Sequence, residues 1–237
     1  MAASGVLQLA RELVFPSACR LCANPAEPGM PICEACLSRM EFINARCDIC
    51  GESFAAGNTE HVCGDCSLDR PDFEKARAWV KFQDPVISIV HRFKYQHGFY
   101  FVDWMVTGMV DVFRRGFAEE KFDVIIPVPL HWMRLLTRGY NQALILARPL
   151  SRKLKIPIAP GALVRAINNP PQVGLSRSQR RENMKKVFAV KNKKIVAGKK
   201  ILLIDDVITT GATVSEAAKV LVKAGAETVS VLAFGRA

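Results

Sequence analysis

Ile201–Thr213, the run Ile-Leu-Leu-Ile-Asp-Asp-Val-Ile-Thr-Thr-Gly-Ala-Thr, narrows the possible folds of this chain more than any other stretch. Its four leading apolar residues predict a strand buried on both faces, the mark of a parallel sheet clad in helices. The turn Thr209-Thr210-Gly211-Ala212-Thr213 then leads into a helix that begins near Thr213. Strand, small-residue loop and helix together make an anion site. Backbone N–H groups of the turn lack partners at the helix start and can converge on a phosphate, while Gly211 allows close approach and the hydroxyls add donors. Asp205 and Asp206 repel a phosphate but accept hydrogen bonds from sugar hydroxyls, so the pattern suggests a phosphorylated sugar. The same residues also suit a buried strand with helix-capping acids, or an unrelated magnesium site.

Far ahead of this stretch lie all eight cysteines, in four CxxC pairs: Cys19/Cys22, Cys33/Cys36, Cys47/Cys50 and Cys63/Cys66, separated by ten, ten and twelve residues. A CxxC turn puts two thiolates on one side of a tight loop, and two such loops complete a tetrahedral zinc site with Zn–S bonds of about 2.3 Å. Eight thiolates make two sites with no coordination position left for water, which argues for structural Zn²⁺. A disulfide framework is the alternative, and the periodic spacing speaks against it. Sequential pairing needs the shortest loops, although crossed pairing is also compatible with the spacing. His61, two residues before Cys63, reads as a solvent-exposed loop residue.

The formal charge of +11 is unevenly spread. Residues 1–75 hold 6 Lys/Arg against 11 Asp/Glu, leaving 27 against 11 for the rest, so a phosphate-rich partner is drawn to the second part. We therefore expect an N-terminal helix and double zinc ribbon over 1–75 and a larger α/β domain over 76–237. The start, Met1 to Phe15, has no basic leader region and is interrupted by Arg11 and Glu12, so it does not read as a signal peptide. No stretch is apolar enough to span a bilayer, and a cytoplasmic setting with reduced or metal-bound cysteines is expected.

Within the larger part, Ala76 to Phe82 alternates as a strand, Pro85 opens a helix, and Tyr100 to Phe113 has a broad apolar face with Met105 and Met109 read as core. Val124 to Ile126 predicts a buried strand that runs into Pro127-Val128-Pro129-Leu130. Ligands of open α/β sheets bind beyond the strands' carboxyl ends, so this loop should face the same cleft as Asp205. Arg134 and Arg138 are four apart, which suits phosphate on one side of a helical turn or two solvated arginines. Pro149 sits inside an apparent helix from Asn141 to Leu154, where a kink or break is expected. Leu163 to Arg165 is a short strand, Asn168 to Leu175 a loop, and Ser176 to Lys200 carries ten Lys/Arg and one acid. That run fits a solvated helix and hairpin or a track for a phosphate backbone.

The stretch Asp205–Thr213 resembles the phosphoribosyl-diphosphate (PRPP) motif of type I phosphoribosyltransferases. The whole order resembles the ComF family: a double zinc ribbon, then Pro127 to Leu130, Arg138 to Gln142, Gln172 to Leu175 with Arg180 and Asn183, then Asp205 to Thr213. The resemblance implies a bacterial protein with a phosphoribosyltransferase-like parallel sheet flanked by helices. It implies that Asp205 and Asp206 face ribose, with catalytic roles if the protein turns over, and that Thr209 to Thr213 take the 5′-phosphate. Diphosphate would then lie near Pro129, Leu130, Arg134 and Arg138, with Mg²⁺ accompanying PRPP. Competence-associated members imply handling of single-stranded DNA in transformation, here through residues 176–200, and a helicase-like partner for the ribbon. Fold and zinc content follow from the resemblance more directly than reaction does. The readings that stand are a PRPP-binding DNA-handling protein and an active transferase acting on a nitrogenous acceptor.

Overall fold

The computed structural model describes residues 17–55, 59–166 and 187–237. Six strands are present there: β1 (Ala76–Lys81), β2 (Val124–Pro127), β3 (Leu163–Arg165), β4 (Phe188–Val190), β5 (Lys200–Ile208) and β6 (Thr228–Arg236). Four form a parallel sheet in the order β1-β6-β5-β2, while β3 and β4 make a separate antiparallel pair. The helices are α1 (Glu34–Leu37), α2 (Gly64–Leu68), α3 (Val86–Tyr95), α4 (Val102–Gly116), α5 (Trp132–Arg138), α6 (Gln142–Leu154), α7 (Lys193–Val196) and α8 (Ala212–Lys223).

Alternation along β5 divides the core. Ile201 and Leu203 face a cluster with Ala212, Val214 and Ala217 of α8, together with Leu163 and Phe188. Leu202 and Ile204 face the opposite cluster, built from Ile89 and Phe93 of α3, Met105 and Met109 of α4, and Leu146 and Leu150 of α6. Both faces are dry, as expected of a parallel sheet covered on two sides.

Two boundaries differ from expectation. β5 does not stop at Ile204 but carries Asp205 and Asp206 inside the strand to Ile208, because β6 runs on to Arg236 and pairs with Asp205, Val207 and Ile208 in the register set earlier in the strand. Helix α6 spans Gln142–Leu154 without a break at Pro149. An interior proline costs about 3 kcal/mol, but Leu146, Ala147 and Leu150 are fully buried, and each buried leucine contributes about 1.5–3 kcal/mol. Tertiary packing outweighs the missing hydrogen bond.

The cysteine-rich part is built onto the sheet's outer edge. Ile43 N–H donates to the Trp79 carbonyl at 3.1 Å and Lys81 N–H to the Glu41 carbonyl at 2.9 Å, extending the sheet past β1 and covering an edge that would otherwise be open. Pairing with β6 begins ahead of Ala76: Glu74 N–H donates to Val229 O and Val231 N–H to Lys75 O, both at 2.8 Å. The expected helix within Met1 to Val14 lies outside the described residues.

Candidate functional site

The eight cysteines gather as two sets in chain order, Cys19/Cys22/Cys33/Cys36 and Cys47/Cys50/Cys63/Cys66, each with its sulfur atoms within 4.8 Å of one another. A tetrahedron of 2.3 Å bonds has edges of about 3.8 Å. The Sγ pairs Cys19–Cys36 at 3.8 Å, Cys22–Cys33 at 3.6 Å and Cys50–Cys63 at 3.7 Å match it. Burial alone would raise the Cys19 and Cys47 thiols, yet backbone donors outweigh it and hold them at about 6 and about 7. Among those donors are Leu21 N–H to Cys19 Sγ at 3.4 Å and Cys63 N–H to Cys47 Sγ at 3.3 Å. Both sets therefore fit structural Zn²⁺ held by four thiolates. His61 stays outside them: it is exposed, stacks on Phe54 with centroids 4.2 Å apart, and its Nδ1 lies 2.9 Å from the Thr59 carbonyl oxygen.

At the other end of the chain, β5 delivers the acidic pair. Asp206 is 2% exposed and turns to the face of α3 and α6, where Lys94 Nζ lies 2.5 Å from one carboxylate oxygen and Gln142 Nε2 donates to the other at 3.2 Å. Burial would lower the Lys94 ammonium, but the Asp206 carboxylate beside it holds it above its usual value. Gln142 in turn accepts from Arg138 Nη1 at 2.7 Å, and the Arg138 guanidinium lies 4.9 Å from the centre of the Tyr95 ring. Asp205 alternates to the opposite face. Its carboxylate accepts from Asp206 N–H at 2.9 Å, and burial together with the neighbouring Asp206 charge pushes its carboxyl well above the usual range.

The turn after β5 opens directly into α8. Gly211 is the N-terminal cap with φ +77°, a left-handed conformation that disfavours a side chain, and a Cβ there would meet nothing within 4 Å. No side chain caps this end, and Thr210 Oγ1 lies 3.5 Å from Ala212 N. The positive end of the helix dipole and open space in front of Gly211 suit a phosphate, with Ala212 N–H already donating weakly to Thr210 Oγ1.

Pro129 and Leu130 line a cavity of about 600 Å³ with Tyr140, Arg148, Arg165 and Lys191. Arg134 and Arg138 both belong to α5, but they lie by different neighbours. Arg138 joins the Asp206 network, whereas Arg134 lies close enough to Arg165 that its charge, after burial, helps lower the Arg165 guanidinium. Lys94 had no place among the expected site residues, and Gln142 appeared only within a motif, with no role of its own. Lys94 carried no signal beyond a basic last turn of a helix, while Gln142 ended the Arg-Gly-Tyr-Asn-Gln run. Gln172 to Leu175, Arg180 and Asn183, and the basic positions up to Lys186, lie outside the described residues. Of the basic residues beyond them, Lys191, Lys193 and Lys194 are exposed, while Lys199 pairs with Asp123 at 3.9 Å and Lys200 with Glu227 at 3.2 Å.

Residues 10–67 match the Double zinc ribbon domain and residues 140–234 the Phosphoribosyl transferase domain. The molecule is thus a zinc-ribbon protein with a phosphoribosyltransferase-type α/β fold. Competence protein F of Haemophilus influenzae (strain ATCC 51907 / DSM 11121 / KW20 / Rd) is 32% identical over 224 residues, which cover 92% of this chain and 95% of that protein. DNA utilization protein YhgH of Escherichia coli O157:H7 is 31% identical over 223 residues, covering 92% and 96%. A solved purine phosphoribosyltransferase from Pyrococcus horikoshii Ot3 aligns over 55% of this chain and 68% of its own at 20% identity, with a TM-score of 0.34. The chain belongs to the ComF family. No helix among the described residues is long and apolar enough to cross a membrane.

Proposed function

We propose that this protein binds PRPP or another phosphoribosyl ligand at Asp205–Thr213 and serves in the handling of single-stranded DNA during uptake or use. The observation that carries the reading is the adjacency, within one strand-turn-helix unit, of the two buried carboxylates and the uncapped, open turn at Gly211. The turn suits the 5′-phosphate, and Asp205 suits ribose hydroxyls. Asp206 already holds Lys94 and Gln142, so in this reading Pro129, Leu130 and Arg134 would lie by the diphosphate, whose charge Mg²⁺ would help neutralise. The relatives' names, Competence protein F and DNA utilization protein, support the DNA context. The exposed Lys191, Lys193 and Lys194 support contact with a phosphate backbone, and the acidic ribbon is left for a protein partner such as a helicase-like factor.

Calorimetry tests the ligand. Mg·PRPP should bind the protein, and Asp206→Ala should abolish that binding; retained affinity in the variant would remove the acidic pair from the site. DNA affinity should fall steeply with salt.

A second reading, catalysis, is favoured by the cavity beside Pro129 and Leu130, which is large enough for an acceptor. PRPP would lose diphosphate as the acceptor nitrogen bonds to the anomeric carbon, with the protein contributing position and charge. Diphosphate release in the presence of one base or oligonucleotide from a panel would establish it; no release with any of them would leave binding as the function.

A further inference from the structure

One side chain joins the second cysteine set to the ligand loop. Arg236, near the end of β6, is 5% exposed, and its guanidinium donates to the carbonyl oxygens of Ile208, Thr209 and Ala237. Its Nε donates to the Cys50 carbonyl at 3.3 Å, and Nη2 lies 2.6 Å from a Glu52 carboxylate oxygen. Cys50 is one of the four sulfur donors of that set, and Thr209 opens the loop. A cavity of about 260 Å³ separates the two and is lined by Cys50, Cys63, Asp65, Thr209, Thr210 and Arg236.

Two further features fix this arrangement. Ser215, in the first turn of α8, donates through Oγ to Asp72 at 3.0 Å and accepts from Asp72 N–H at 3.1 Å, tying the segment after the ribbon to the ligand helix. Gly51 lies against β1 so closely that a Cβ would sit 2.6 Å from the Ala76 carbonyl oxygen, so the turn bearing Cys50 cannot shift toward the sheet. The first cysteine set is placed differently. It packs in the α3 and α4 cluster, and Arg92 of α3 donates to the Arg20 and Leu21 carbonyls beside it.

We propose that Arg236 is a positioning residue for the phosphate loop, one that transmits the order of the zinc-filled second set to Thr209–Thr213. Zinc occupancy of that set and affinity for phosphate are then linked, each strengthening the other. The inference rests on the reading of this loop as a phosphate site. Arginine suits the place because its planar fork spreads five donors over the Cys50, Ile208, Thr209 and Ala237 carbonyls and the Glu52 carboxylate, a span that the three donors on one point-like ammonium do not cover.

The experiment compares the full-length protein with Arg236→Gln, Arg236→Lys and the first-set variant Cys22→Ser. Arg236→Gln should keep two zinc ions per chain, speed amide hydrogen exchange across Thr209–Thr213, and weaken Mg·PRPP binding about tenfold, within the usual range of coupling between sites. Arg236→Lys should share the defect despite its charge. In the unsubstituted protein, Mg·PRPP should slow release of one of the two zinc ions to a chelator, and Arg236→Gln should erase that protection. Unchanged loop exchange in Arg236→Gln, or an equal rise in Cys22→Ser, would overturn the proposal. If the unsubstituted protein failed to bind Mg·PRPP, the site reading would fall, while the exchange measurement would still decide whether Arg236 braces the loop.

Discussion

The two faces of the parallel sheet carry the same kinds of feature for different purposes. Each holds one cysteine set and, from β5, one aspartate. On the face of α3, α4 and α6, the first set packs with Ile32 and Met40 into a large apolar cluster, and Asp206 is locked between Lys94 and Gln142. On the face of α8, the second set reaches the ligand loop through Arg236, and Asp205 has its carboxyl driven toward neutrality. Four CxxC pairs and two adjacent aspartates thus meet different surroundings on the two faces. On one face the set and its aspartate are tied into packed helices; on the other they lie against the turn proposed to hold a phosphate, and the proposed site draws on the aspartates of both.

The largest effect comes from the metal sets. Cys33→Ser in the first set and Cys66→Ser in the second should each leave one zinc per chain by elemental analysis. Each should lose more than about 4 kcal/mol of stability, as expected when a structural metal goes. Urea unfolding checks this, and a variant with wild-type stability would break the claim that both sets are structural.

Next in size is the Lys94–Asp206 pair. Asp206→Ala strands a largely buried ammonium and should cost about 3 kcal/mol, on top of lost ligand binding. Adding Lys94→Met to it should restore most of the stability and none of the binding. Recovery of both would mean that Asp206 serves only the scaffold.

Much of this was legible in the sequence. The apolar run Ile201 to Ile204, the small-residue turn with Gly211 and the CxxC spacing are local signals, and each led to the observed strand, turn or cysteine set. The partners were not legible. Lys94 meets Asp206 only because α3 folds back over the end of β5, more than a hundred positions away in sequence, and nothing local marks a lysine for that role. Arg236 was hidden for a related reason: nothing local marks it, and the last residues of β6 are held in the strand by β5. Pro149 failed as a helix breaker because a local penalty was set against the burial of three neighbours.

Asp205 offers an effect of the opposite sign. Its carboxyl titrates higher in the folded protein than in the unfolded chain, so between those two pKa values the folded state binds more protons and stability falls as pH rises. Asp205→Asn should therefore raise the melting temperature at neutral pH, on the order of 2–4 °C, and the advantage should vanish below the unfolded aspartate pKa of about 3.9. Thermal melts across pH measure it. A loss of stability at pH 7 would mean that the ionised carboxylate contributes to the fold as Asp206 does.

The smallest expected change separates strain from ligand contact. Gly211 and Gly29 both hold left-handed conformations, φ +77° and +81°, and at neither would a Cβ meet anything within 4 Å. Each Gly→Ala substitution should cost only the backbone penalty, about 1 kcal/mol, and the two melting temperatures should fall alike. Their affinities should not. At Gly211 the added methyl enters the open space where the phosphate is expected, so Mg·PRPP binding should weaken, while Gly29→Ala, within the first cysteine set, should bind as before. Equal affinities would show that the space before Gly211 is not where the ligand sits, and would remove the loop from the proposed site.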